Sequence, residues 1–275
     1  MYKTNILNST MHGKLASAMN EYFNPDIKIL MVKCQTLGKY WNMADLSAPY
    51  WRLYWNNIGG ASVWFNRKEH PLLPSSMMLI PPNTHFSSAC RGTPPKHFYV
   101  HFTASPPFDG IPPQVIALPC GKEMIDTARE LSRLLSKGNP EPMRISVGAM
   151  SLIFNSLNFI SDKFVAQGKS DPRIAMAMKM IEDGLSAPPS NSRIAEKLCM
   201  STNAFLRLFK ENAGISPQHY SRNKRIDKAC ILLHYSGHDI KQIAADTGFC
   251  DRFHFSRVFR RLRGVGPSEF RKITS

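Results

Sequence analysis

The sequence predicts an α+β chain of two domains, a β-rich N-terminal half and an all-α C-terminal half. Three observations carry this reading. The first hundred residues hold short aromatic runs of two-residue period, punctuated by proline and glycine. From Lys122 onward, apolar residues recur at helical spacing. In the last hundred residues, a set of aromatic, arginine, glycine and proline positions returns fifty places later.

In "PYWRLYWNN", Trp51, Leu53 and Trp55 alternate with Arg52, Tyr54 and Asn56. "IGGASVWF", "MMLIPPNTHF" and "KHFYVHF" follow as further short runs, with Gly and Pro marking their turns. Such a series predicts a small barrel or a sandwich. Over residues 122–137, Met124, Ala128, Leu131 and Leu135 mark one helical face. Over 144–164, Leu152, Ile153, Leu157, Ile160 and Phe164 mark another. Two such helices can pack on the strands, on each other or on a second chain. "AQGKSDPR" is polar, carries Gly and Pro and lacks an apolar period, so it reads as a linker. The expected organisation is a β-rich domain over 1–121, a helical element over 122–165, a linker over 166–173 and a helical domain over 174–275.

The chain has 275 residues and a formal net charge of +15, which favours a polyanionic partner. Residues 171–275 hold eighteen Lys/Arg against ten Asp/Glu, the remainder seventeen against ten, so the C-terminal part is the more densely basic. The six cysteines are scattered and none forms a C-x-x-C pair. This pattern excludes a zinc-ribbon spacing and a secreted disulfide framework, and fits a reducing cytoplasm. No stretch has the apolar length of a membrane span or the build of a signal peptide, so no membrane partner is expected.

The repeat carries the most information. Phe205, Arg207, Phe209, Gly214, Pro217 and Tyr220 return as Phe255, Arg257, Phe259, Gly264, Pro267 and Phe270. Ile194-Ala195 precedes the first copy and Ile243-Ala244 the second, with one extra residue in the second turn. Each copy reads as a short helix, a tight turn and a second helix capped by Ser201 or Asp251. This is the pattern of a helix-turn-helix. In "TGFCDRFHFSRVFRRLRG" the second helix has an apolar back of Phe255, Val258, Phe259 and Leu262 and a basic front. Between the copies, Ile226, Ala229, Cys230, Leu232 and Leu233 predict a long helix with one face against both units. Two recognition helices on one spacer can enter successive major grooves roughly 34 Å apart.

"SRIAEKLCMSTNAFLRLFKENAGISPQHYSRNKRIDKACILL" and "DIKQIAADTGFCDRFHFSRVFRRLRGVGPSEFRK" closely resemble the two helix-turn-helix units of AraC-type (AraC/XylS) transcription regulators. One departure is Gly266, where that family usually has Ser or Thr before the proline. "SSMMLIPPNTHF" is similar to a strand and turn of the family's N-terminal domain, with Ser75-Ser76 in place of its usual Gly-Asp. The resemblance implies a cupin-like effector-binding barrel, two dimerisation helices over 122–165 and a double helix-turn-helix domain. It also implies a cytoplasmic homodimer on promoter DNA with possible RNA polymerase contact. Control of a metabolic operon, often as an activator, follows from the same likeness. No enzymatic activity and no cofactor is expected.

By the same resemblance, base-reading positions fall on Asn203, Leu206 and Arg207 of the first unit. The matching positions of the second are Arg252, Phe253, His254, Ser256 and Arg257. Asn pairs bidentately with adenine and Arg with guanine. Lys210 and Arg260 are candidates for phosphate contact. In the N-terminal domain, Arg52, Trp55, Trp64, His85, Tyr99 and His101 are candidate effector contacts, since aromatic faces suit sugar C–H groups and Arg suits hydroxyls or a carboxylate. A small-molecule effector of carbohydrate type is therefore expected. Two other readings are open: a cupin-type metalloenzyme with a DNA-binding tail, and a DNA binder without small-molecule control. His85, His97 and His101 lack the spacing of a cupin metal triad.

Overall fold

The computed structural model describes residues 26–38, 41–105, 108–136, 141–160 and 171–273. Among the described residues nine strands form two antiparallel sheets: β1 (Ile27–Thr36), β2 (Met43–Leu46), β3 (Trp51–Asn56), β4 (Ala61–Phe65), β5 (Lys68–Leu72), β6 (Met77–Ile80), β7 (Phe86–Cys90), β8 (Lys96–Ala104) and β9 (Ile116–Leu118). The first sheet runs β1-β8-β3-β6-β9 and the second β2-β7-β4-β5. Closing a barrel requires a continuous ladder. Among the described residues β9 pairs only with β6, and β2 only with β7, so the two sheets do not close on each other. The described strands thus make two facing open sheets, a sandwich, and not a closed barrel. Asn66 and Arg67 both take positive φ between β4 and β5, the geometry that suits the twist of a two-residue hairpin.

The two-residue period of β3 and β8 divides the first sheet between two cores. Trp51, Leu53, Trp55, Phe98, Val100 and Phe102 pack on helices α1 (Lys122–Ser136) and α2 (Pro142–Leu157). The alternate residues point toward the second sheet, where Tyr54, Met78 and Ile80 meet Val63, Leu72 and Phe86. The second helical face expected over 144–164 is realised by Leu152, Ile153, Leu157 and Ile160; Phe164 lies outside the described residues. Residues 166–170 of the expected linker lie outside them as well. Asp171 caps the next helix by accepting from Arg173 N at 2.9 Å, so 172–173 are already helical.

The C-terminal part holds α3 (Pro172–Asp183), α4 (Asn191–Lys197), α5 (Thr202–Ala213), α6 (Pro217–Tyr235), α7 (Ile240–Asp246), α8 (Arg252–Arg263) and α9 (Pro267–Ile273). It has two cores, one per repeat. Phe205 and Phe209 are fully buried with Ile174, Ile194 and Leu198. Phe255 and Phe259 are fully buried with Ile243, Val258 and Phe270. Each phenylalanine pair so buried contributes roughly 3–5 kcal/mol per side chain against truncation to alanine. The α6 residues Ile226, Ala229, Cys230 and Leu233 all join the second core, not both as the sequence predicts. The first unit is held instead by the N-terminal end of α6, where Tyr220 packs edge-on against Phe209 at 5.6 Å.

Candidate nucleic-acid interface

Capping and burial together fix which face each recognition helix shows. Ser201 Oγ accepts from Ala204 N at 3.2 Å at the start of α5. Asp251 Oδ1 accepts from Phe253 N and His254 N, both at 2.8 Å, at the start of α8. These hydrogen bonds hold the Asp251 carboxyl below its ordinary range. Gly214 and Gly264 end the two helices at φ +71° and +79°. With Phe205 and Phe209 inside, Asn203, Arg207 and Lys210 stand exposed one turn apart on the outer face of α5. Leu206 is half-buried and packs on the first core, so its side chain offers little surface for a base. Arg207 lies 4.0 Å from Glu211 in a largely exposed pair, worth at most a few tenths of a kcal/mol, and so stays available.

On α8, Arg252, Phe253, His254, Arg257 and Arg260 are exposed. Phe253 is 67% exposed, with the Arg252 guanidinium 4.8 Å over its ring. It is therefore part of the outer surface and not of the core. Ser256 is half-buried and donates its hydroxyl proton to Arg252 O at 2.7 Å, which leaves only its lone pairs for a partner. Arg263, at the end of the basic run, turns inward. It pairs with Asp227 of α6 and donates to Asn83 Oδ1 of the sandwich at 3.2 Å.

The relative placement of the two units rests on α6, about 28 Å long at 19 residues. Arg225 donates from Nε to Leu185 O at 2.7 Å and from Nη1 to Gly248 O at 3.0 Å. One guanidinium thus ties the turn after α3 to the turn of the second unit. Lys224 pairs with Glu182 at 2.9 Å, and Lys228 donates to Asp246 O at 3.2 Å. A groove of about 720 Å³ runs between the units, with Arg222, Arg257 and Arg261 along it. The second recognition helix contributes His254, Arg257 and Arg261 to this groove, and α6 contributes Arg222 and Arg225.

The six candidate effector residues do not share one site. Arg52, Tyr99 and His101 lie on the inner faces of β3 and β8, between the sheets, and Arg52 stands opposite His101 in the ladder. Trp55 does not: it faces the helices and donates from Nε1 to Pro74 O at 3.0 Å. Trp64 follows inward-facing Val63 and so points outward. His85 is exposed and pairs with Asp45 at 3.0 Å. The interior also gathers residues outside those six candidates: Trp41, Tyr50, Asn56 and His97. His97 Nδ1 and Asn56 Oδ1 are 2.7 Å apart, and burial lowers the His97 pKa to about 3. The end of α6 closes this cluster. Tyr50 Oη lies 2.8 Å from His234 Nδ1, and Tyr235 Oη lies 2.6 Å from His101 Nδ1. Burial, with the Arg52 charge second, lowers the His234 pKa to about 3 and that of His101 further below its ordinary value. Among the described residues, no three His, Cys, Asp or Glu side chains group as metal ligands, and no helix is long and apolar enough to cross a membrane.

Residues 194–273 match the family model of a helix-turn-helix domain. The chain is 34% identical over 103 residues to the HTH-type transcriptional activator RhaS of Escherichia fergusonii, a match covering 38% of this chain and 37% of that protein. It is 33% identical over 102 residues to the Arabinose operon regulatory protein of Escherichia coli, covering 37% and 35%. A RhaS of Salmonella paratyphi B is 26% identical over 154 residues, 55% of each chain. The chain thus spans little more than a third of the length of the first two relatives, and about half of the third. In fold, it is similar to ToxT from Vibrio cholerae, with a TM-score of 0.56 at 17% identity over 89% of this chain and 98% of that one.

Proposed function

We propose, from a C-terminal domain that is a helix-turn-helix domain of the AraC type, that the whole chain is a sequence-specific DNA-binding transcriptional regulator under small-molecule control. The observation that carries this is the duplicated unit: two capped recognition helices with buried aromatic backs, clamped by Arg225, each presenting an exposed arginine at the same position. Arg207 and Arg257 supply planar, bidentate donors for base edges or phosphates, with Asn203, Arg252, Phe253 and His254 beside them. Lys210 and Arg260 add phosphate contacts and hence salt dependence.

Arg257→Ala and Arg207→Ala are each expected to weaken binding to the chain's own upstream region by about 1–3 kcal/mol, roughly 5- to 150-fold. A gel-shift titration at fixed salt reads this, and unchanged affinity in both variants removes the assignment.

The domains take the roles that their order implies: residues 1–121, which hold the sandwich, as sensor, the helices within 122–165 as dimerisation element, and 174–275 as DNA-binding domain. Dimerisation is supported by an apolar stripe on the outer face of α2, where Met143, Val147 and Phe154 are exposed at helical spacing. Val147→Glu is expected to shift the chain from dimer to monomer in sedimentation velocity without loss of helix content. An unchanged dimer would move the contact elsewhere. The effector belongs between the sheets, where Arg52, Tyr99 and His101 line the inner face, and the aromatic content there suits a sugar-type ligand.

A further inference from the structure

Phe253 departs from the rule that the other phenylalanines of the DNA-binding domain keep. Phe205, Phe209, Phe249, Phe255, Phe259 and Phe270 are all buried in the cores of the two units. Phe253 is 67% exposed and joins neither core. Its place is fixed by the cap, because Asp251 Oδ1 accepts from Phe253 N and so holds it in the first turn of α8. Arg257 lies one turn further along the same outer face, and Arg260 about a turn beyond that. The Arg252 guanidinium rests over the ring, 4.8 Å from its centre, and leaves most of it open.

A ring in this position adds nothing to the packing of its own unit, so its use lies in what the helix meets. The cations around it, Arg252, Arg257 and Arg260, suit a polyanion and not an apolar protein patch, which would bury them unpaired. In the major groove the base edges present donors and acceptors, with one apolar group among them, the C5-methyl of thymine. A phenyl ring has no hydrogen bond to offer the polar edges and would only desolvate them.

We propose that Phe253 selects thymine in the operator by packing on its C5-methyl group, beside the contact made by Arg257. The inference rests on the regulator reading above and names what the second recognition helix reads. The repeat confines this choice to one unit. Fifty positions earlier Asn203 holds the place of Phe253 and is exposed like it, while Arg207 and Arg257 are common to both units. An amide carries the donor and the acceptor that adenine N7 and N6 require, and a phenyl ring carries neither. Leu206, the apolar side chain on the first recognition helix, packs on its own core instead. The two units therefore prefer unlike half-sites, one read by a polar edge and the other by a methyl group. An operator read in this way has a direction, and the chain lies on it in one orientation.

The test is fluorescence anisotropy of the full chain on its own upstream region, prepared once with thymine and once with uracil throughout. That exchange removes the methyl groups and keeps every donor and acceptor of the base edges. Wild type is expected to bind the thymine fragment about 3- to 10-fold more tightly, on the order of what burial of one or two methyl groups gives. In Phe253→Ala the thymine preference is expected to vanish, with affinity for the thymine fragment reduced to that for uracil. Phe253→Leu, which stays apolar, is expected to keep part of it. Both replace an exposed side chain, and equal melting temperatures verify that the fold is unchanged. A wild type indifferent to uracil overturns the proposal. So does an equal thymine preference in wild type and Phe253→Ala, since DNA shape or another residue then carries it. A preference lost in Leu206→Ala but kept in Phe253→Ala overturns it too, by moving the methyl contact to the first unit. In each of these cases tight binding to the upstream region leaves the regulator standing. A wild type that binds its upstream region no better than unrelated DNA removes the regulator reading and this inference with it.

Discussion

Gly248→Ala is expected to destabilise the DNA-binding domain by about 2–4 kcal/mol and to cost DNA affinity through misplacement of the second unit. Gly248 sits at φ +74° in the turn between α7 and α8. A left-handed backbone alone costs an alanine roughly 1–2 kcal/mol. A Cβ at this position also meets Ser186, 2.8 Å from its Cα, 2.9 Å from its carbonyl carbon and closer still to its oxygen. That neighbour is backbone and cannot rotate away. Ser186 follows Leu185, whose carbonyl Arg225 holds with the same guanidinium that holds Gly248 O. The clash therefore falls on the seam that sets how far apart, and at what angle, the two recognition helices stand. Gly264→Ala is the internal comparison: φ is +79° but nothing lies within 4 Å of the added Cβ, so only the backbone cost of about 1 kcal/mol is due. Urea unfolding of both variants reads the difference. Equal losses would mean that the contact with Ser186 yields, and that the seam is softer than its geometry implies. The first unit makes the same point by contrast. Its turn carries Cys199 at φ +54° in the equivalent place, four residues after Ala195 as Gly248 follows Ala244. The left-handed position belongs to the turn, but the demand for glycine comes from the close approach of the units.

Much of the C-terminal half was legible because its signals are local. A cap, an apolar stripe and a stop glycine each act within one helix, and the repeat doubled every one of them. What was not legible came from contacts between distant segments. Arg225 and Arg263 look like surface charges in the sequence, yet one clamps two turns and the other pairs with Asp227 against the sandwich. The effector candidates failed for a nearer reason. Strand residues share a face only at even spacing, so Arg52 and Trp55 could not both point inward, whereas Tyr99 and His101 could. Tyr54, Asn56 and His97 share the inward parity of Arg52 and Tyr99, and the alternation alone would have found them. Only the pairing of His101 and Tyr50 with the end of α6 required the tertiary structure, because those partners lie 134 and 184 residues away. Barrel closure, likewise, depends on which edges pair, and no stretch of sequence encodes that by itself.

Acidification from pH 7 toward 5 is expected to destabilise the chain, and to do so through the histidines of the sandwich and the domain contact. His97 and His234 ionise near pH 3 in the folded chain, against 6.5 for an ordinary histidine. His101 is shifted in the same direction. All three are neutral when folded, so the unfolded chain binds protons that the folded chain refuses. The sign follows: their contribution is fully present above pH 6.5 and is lost as pH falls from there toward 3. At about 1.4 kcal/mol per pH unit for each group, His97 and His234 together remove about 4 kcal/mol between pH 6.5 and 5, a large part of an ordinary folding free energy. His101 adds to this. Asp171, held near 2 by Arg173, titrates only below its unfolded value of 3.8, whereas burial raises the Asp227 carboxyl, whose contribution runs the opposite way. Urea unfolding at pH 7, 6 and 5 measures the slope, and a flat profile would mean that these rings are hydrated or charged in the native chain. The positions of the groups make the loss uneven. Protonating His97 strains the interior of the sandwich, beside Asn56. Protonating His234 or His101 sets a new positive charge near Arg52 and disrupts the hydrogen bonds to Tyr50 and Tyr235. His234→Gln should therefore flatten the profile and loosen the domain contact at neutral pH, seen as faster proteolysis between the domains. His97→Gln should flatten it with the contact intact. If both variants behaved alike, the acid sensitivity would belong to the sandwich as a whole, and the end of α6 would be a passenger on it.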